Sequence, residues 1–134
     1  MRITFTVPGK PVAKPRMTQR DKFPPVRPCV KEYWEFKDAV FISALGAGYR
    51  HQRHVVEEVY CEAFISMPKS WSQKKKSAMR GKQHQQTPDF DNILKAVCDS
   101  LAADDKAIWS GGLKKRWDDG DGPRIIVRIE VLEA

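Results

Sequence analysis

Both ends of the chain alternate apolar and polar residues with a period of two. Ile3, Phe5 and Val7 stand against Arg2, Thr4 and Thr6, and Ile125, Val127, Ile129 and Val131 alternate through residues 124–132. Successive side chains of an extended backbone point to opposite faces, so each segment is a strand that must bury one face. A chain of 134 residues suffices for one domain around such strands and is short for two. Residues 1–134 are therefore read as a single domain.

Hydrophobic residues make up 41% and charged residues 31% of the chain, a globular balance. No apolar run approaches the ~20 residues a membrane span needs, so a soluble protein with no membrane association is expected. The strand-like start has no charged head, apolar stretch or cleavage site, and the expected location is cytoplasmic. Cys29, Cys61 and Cys98 are odd in number and lack any CxxC pairing, which argues against a disulfide framework or zinc ribbon. Buried free thiols are expected.

Between the terminal strands, residues 10–28 hold Pro11, Pro15, Pro24, Pro25 and Pro28 among Lys10, Lys14, Arg16, Arg20, Lys22 and Arg27. Proline at this density excludes regular helix and sheet, leaving a long basic arm suited to phosphate contact. Residues 30–46 read as a helix with Tyr33, Trp34, Phe36, Ala39, Val40, Ile42, Ala44 and Leu45 on its apolar face. Residues 55–67 read as a half-buried strand closed by Pro68. Ser70 is the expected cap of a short helix over 71–80, which carries Lys74, Lys75, Lys76 and Arg80. A further helix is expected from Asp91 or Asn92 to about Ala102, with Ile93, Leu94, Val97, Cys98 and Leu101 inward and Asp91, Lys95 and Asp99 outward. A strand over 108–117 with a kink at Gly111 and Gly112 precedes the last one. The fold class is α/β in the α+β sense, a sheet of about four strands flanked by helices.

Charge is uneven. Residues 1–86 carry 17 Lys or Arg against 7 Asp or Glu, and residues 87–134 carry 7 against 10. The first part suits a polyanion, bound through counterion release, and the second embeds an acidic pocket in a basic protein.

That pocket centres on Pro88, Asp89, Phe90, Asp91, Asn92 and Lys95, with Asp104 and Asp105 further on. Carboxylates gathered within a few ångströms repel, so they either protonate or share a cation, most naturally a hard divalent metal. Asp89 and Asp91 are two apart in extended backbone and can turn to one side; Asp91 and Lys95 are helix neighbours four apart. Ten helical residues carry the chain about 15 Å away, so Asp105 reaches the pair only if the chain doubles back or a second subunit supplies it. On spacing alone, helix caps and a solvated turn explain these acids equally well. His51 and His54 read as solvated, His84 as structural or peripheral to a phosphate, and Trp71 as a packing anchor or a stacking platform.

The run from His84 through Thr87, Pro88, Asp89, Phe90, Asp91, Asn92 and Lys95, followed by Asp99, Leu101, Asp104 and Asp105, resembles the RusA family of Holliday junction resolvases. The order PDxDNxxK, DxL, DD is present, and Gly9, Lys10, Pro11, Lys14, Pro15 and Arg16 are similar to the family's N-terminal arm. The resemblance implies a small homodimer with a mixed sheet that cuts four-way DNA junctions in recombination and repair. It implies catalysis by Asp89, Asp91, Asp105 and Lys95, the three aspartates holding Mg2+, with Mn2+ able to substitute. The interval between DxL and DD is shorter than is usual in the family, which leaves Asp104 as the alternative to Asp105. Lys10, Lys14, Arg16, Arg20, Lys74, Lys75, Lys76 and Arg80 are the expected DNA contacts. The competing readings are a non-catalytic nucleic-acid-binding module and a nuclease for flaps, forks or RNA.

Overall fold

A computed structural model describes residues 1–102 and 106–133. The chain runs β1 (Arg2–Pro8), α1 (Pro28–Gly46), β2 (His54–Ile65), α2 (Gln73–Met79), α3 (Phe90–Leu101), β3 (Ser110–Trp117) and β4 (Arg124–Glu133). The strands form one four-stranded mixed sheet in the order β1-β4-β2-β3. β4 pairs antiparallel with both β1 and β2, and β2 pairs parallel with β3. A parallel pair needs a long crossover, and α2 and α3 lie within it. The acidic motif is therefore carried between two neighbouring strands.

The period-two residues behave as their spacing requires. Ile3, Phe5 and Val7 of β1, Val59, Cys61 and Ala63 of β2, and Ile125, Val127, Ile129 and Val131 of β4 are all buried in one cluster. Tyr33, Phe36, Val40 and Ala44 of α1 and Ile93, Ala96, Val97 and Leu101 of α3 pack on the same cluster, so both helices cover one face of the sheet. Each fully buried Ile or Val contributes about 1.5–3 kcal/mol relative to exposure. The opposite face, with Thr4, Tyr60, Glu62, Lys114, Ile126 and Arg128, forms an open groove.

Several local expectations are corrected. Trp34 and Ile42 are exposed, because α1 turns only a narrow stripe toward the sheet. Ser72, not Ser70, caps α2: its hydroxyl accepts the Lys75 amide at 3.1 Å, and the helix starts at Gln73. A four-residue 3-10 turn, Gln19–Lys22, interrupts the basic arm. No disulfide joins the cysteines, but Cys29 is exposed at the start of α1 and Cys98 is half-buried, so of the three only Cys61 is buried.

Candidate active site

The ground on which the acidic motif stands is built against the outer edge of β3. The Gly81 amide donates to the Trp117 carbonyl at 3.2 Å, the Trp117 amide to Lys82 at 2.8 Å and the His84 amide to Lys115 at 3.0 Å. Beyond His84 this short antiparallel pairing stops, and a side chain takes over. Lys115 Nζ donates to the carbonyls of Gln86 at 2.6 Å and Pro88 at 2.8 Å.

Asp89 follows immediately as the residue that caps α3, with φ −69° and ψ 140°, and its carbonyl accepts the Ile93 amide at 3.3 Å. Asp91 sits in the first helical turn, where the positive end of the helix dipole favours negative charge. Both residues are exposed and line one open groove together with His84, Thr87, Phe90 and Lys115. Lys95 is exposed one turn along the same helix. Among the described residues, the side chains of Asp89, Asp91 and Lys95 have no hydrogen-bond or ionic partner.

Asp99, the next polar position along α3, is already committed. It accepts Lys14 Nζ at 2.8 Å and the Tyr33 hydroxyl at 3.0 Å. Burial, aided by the Asp99 charge, pushes the Tyr33 phenol well above its ordinary pKa, so it remains a donor. The Lys14 amide donates to the Asn92 carbonyl at 3.0 Å, and Val12 and Ala13 pack at the core, so the arm crosses the start of α3. Lys14 thereby clasps the arm to α3.

Asp21 organises the rest of the arm and was absent from the expected set. It is buried and accepts Arg27 Nε at 2.9 Å, Arg27 Nη2 at 2.7 Å and the Thr18 amide at 2.7 Å. These bonds, the Arg27 one foremost, hold its carboxyl far below the ordinary carboxylate range. A depressed pKa contributes stability in full above the ordinary value of 3.8, and that contribution is lost only as pH falls below it. The Arg27 Nε–H resonance is accordingly expected to keep its bonded shift from pH 7 down to about 4. Asp21→Asn at pH 7 is expected to expose the arm to tryptic cleavage after Arg20 and Lys22. An unchanged digestion rate would show that this clasp does not order the arm. Lys10, Arg16 and Arg20 stay exposed, Lys10 lying 3.8 Å from Glu32.

Lys74 and Lys75 of α2 and Arg80 just after it are exposed, and Lys76 is half-buried. Trp71 packs against Trp117 with ring centroids 4.7 Å apart, and Lys75 Nζ lies 4.2 Å above the Trp71 ring. Trp71 thus packs as an anchor while staying half-buried. His84 is buried with its ring 4.3 Å from that of Trp117, and burial, followed by the nearby Lys115 charge, lowers its pKa. The imidazole is therefore neutral near pH 7. His51 is exposed as expected, but His54 is buried, its Nδ1 accepting the Arg50 amide at 3.0 Å and its ring stacked on Tyr49.

Asp89 and Asp91 supply hard oxygen donors that pair with no protein cation among the described residues, a donor set that suits Mg2+ or Mn2+. Among the described residues no three His, Cys, Asp or Glu side chains come together as a metal centre. Asp104 and Asp105 lie outside the described residues.

A basic single domain that offers an acidic groove at a helix start has the make-up of a nuclease. The family model for endodeoxyribonuclease RusA matches residues 8–130, so the chain belongs to the RusA family of Holliday junction resolvases. The match takes in the arm, both basic clusters and the whole of the groove. No match was found among the curated proteins. No helix among the described residues is long and apolar enough to cross a membrane.

Proposed function

We propose that this endodeoxyribonuclease resolves Holliday junctions by Mg2+-dependent hydrolysis of paired phosphodiesters, acting as a homodimer in DNA recombination and repair. The observation that carries the reading is the pair Asp89 and Asp91 on one groove, with Lys95 a turn away, all three without a partner among the described residues, in a chain otherwise rich in basic residues. Asp89 and Asp91 would hold the metal, with Asp105 as the proposed third ligand. When bound, Mg2+ supplies a Lewis acid for the phosphodiester and lowers the pKa of coordinated water.

The chain's own residues do the rest. Lys95 presents an ammonium to the phosphate and offsets the charge that develops on it. Lys10, Arg16 and Arg20 of the arm and Lys74, Lys75, Lys76 and Arg80 around α2 bind backbone phosphates without reading bases. Lys14, bound to Asp99, would serve DNA chiefly by locating the arm beside the groove. A two-fold dimer would offer two such grooves to two symmetry-related strands.

The test compares four-way, forked and linear duplex DNA at equal salt, each with Mg2+ and with chelator. Paired nicks in the four-way junction alone, abolished by chelator, are the expected result. Equal cutting of forks would move the substrate to another branched structure. Binding without nicking in any divalent metal would overturn the catalytic reading.

A further inference from the structure

We infer that Lys115 is a positioning residue for the metal-holding segment, fixing Asp89 through the backbone that precedes it. The inference rests on the metal-dependent reading above. In the parallel register of β2 and β3, Leu113 stands beside Cys61, Lys115 beside Ala63 and Trp117 beside Ile65. Cys61, Ala63 and Trp117 are buried, so Lys115 occupies a core-facing slot of its strand. Its stem starts from that slot and its ammonium emerges at the sheet edge, where it donates to the exposed carbonyl of Gln86 and the half-buried one of Pro88.

Those two acceptors lie on the one stretch that β3 cannot hold by backbone pairing. The ladder from the 81–84 segment ends at His84, and Pro88 has no amide to continue it. The Pro88 carbonyl belongs to the same rigid peptide plane as the Asp89 nitrogen. Gripping that oxygen therefore sets the direction in which Asp89 leaves the plane. The ammonium also places a positive charge on the groove wall without pairing to either carboxylate, so both remain available as ligands.

The experiment uses the full chain and Mn2+ as the probe, with free Mn2+ counted by electron paramagnetic resonance. Lys115→Met keeps the stem and loses the donors, and it is expected to bind Mn2+ about tenfold more weakly. The Mg2+ concentration for half-maximal junction cleavage should rise by about the same factor, with the rate at saturating Mg2+ largely recovered. Lys115→Arg, which can again donate to two carbonyls, is expected to restore most of the Mn2+ affinity. Junction affinity in chelator should not change.

Wild-type Mn2+ affinity in Lys115→Met overturns the inference. So does a loss confined to junction binding in chelator, which would make Lys115 a DNA contact instead. Should Lys115→Met fail to fold, Lys115→Gln is titrated in its place and read by the same outcomes. Wild-type protein that binds no Mn2+ overturns the metal-dependent reading itself and this inference with it, a result distinct from the other two.

Discussion

Asp91→Asn is expected to lower junction cleavage by about a thousandfold or more while leaving junction binding unchanged or tighter. The substitution keeps the side chain's shape and removes one charge and one anionic oxygen from the groove. A less negative groove repels the DNA backbone less, so binding should not suffer. Asp91 is exposed and has no partner among the described residues, so the fold loses only a favourable charge at the start of α3, about 0.3–1 kcal/mol. Single-turnover cleavage, gel-shift binding and thermal melting of one preparation check all three statements. Persistent Mg2+-dependent cutting by this variant would remove Asp91 from the reaction.

Gly111→Ala should be the most damaging single-methyl change in the sheet. A Cβ at Gly111 would lie 2.6 Å from the Val59 carbonyl oxygen, closer than such atoms approach, and that oxygen belongs to a paired strand rather than a flexible side chain. Either β3 shifts away from β2 or the parallel pairing breaks locally. Overpacking of this kind costs about 1–3 kcal/mol, which in a domain of this size lowers the melting temperature by roughly 4–11 °C. Because Lys115 lies four residues along the same strand, junction cleavage should weaken at temperatures where the protein is still folded. Calorimetry and cleavage measured across the same temperatures check this, and a variant that melts like wild type would show that β3 absorbs the methyl freely. Gly112, with nothing near its would-be Cβ, is the matched control.

How much of this was legible in the residues varies with the physics behind each signal. The strands were readable because period-two alternation reports burial directly, and β1 and β4 fall where Ile3 to Val7 and Ile125 to Val131 put them. α3 was readable because its buried residues repeat at helical spacing. The start of α2 was not, since Ser70 and Ser72 are both competent caps; in the fold Ser72 takes the Lys75 amide while the preceding Trp71 packs on Trp117. Trp34 misled because an aromatic residue carries no label for which side of a helix is covered.

Within the groove, Asp89, Asp91 and Lys95 were legible as a motif, and the geometry adds that they are partnerless among the described residues. Lys115 was missed, although a signal existed. Alternation over Leu113, Lys115 and Trp117 sets a lysine among inward positions, and an inward lysine asks for acceptors. Asp21 was hidden among the arm's positive charges, because its Arg27 and Thr18 partners meet it only through the turn that folds them together. The burial of His54 was likewise invisible, since it depends on the Tyr49 ring arriving from a neighbouring turn.

β3 lies at the margin of the sheet, joined on one side to β2 and on the other only to the brief 81–84 segment. Marginal strands open in sub-global fluctuations well before a core such as the β1-β4-β2 ladder does. If Asp89 and Asp91 act as proposed and take their bearings from such a strand, the enzyme is expected to fall silent while most of its amides remain protected from exchange. Its working temperature would then be governed by one frayable border rather than by the melting of the whole.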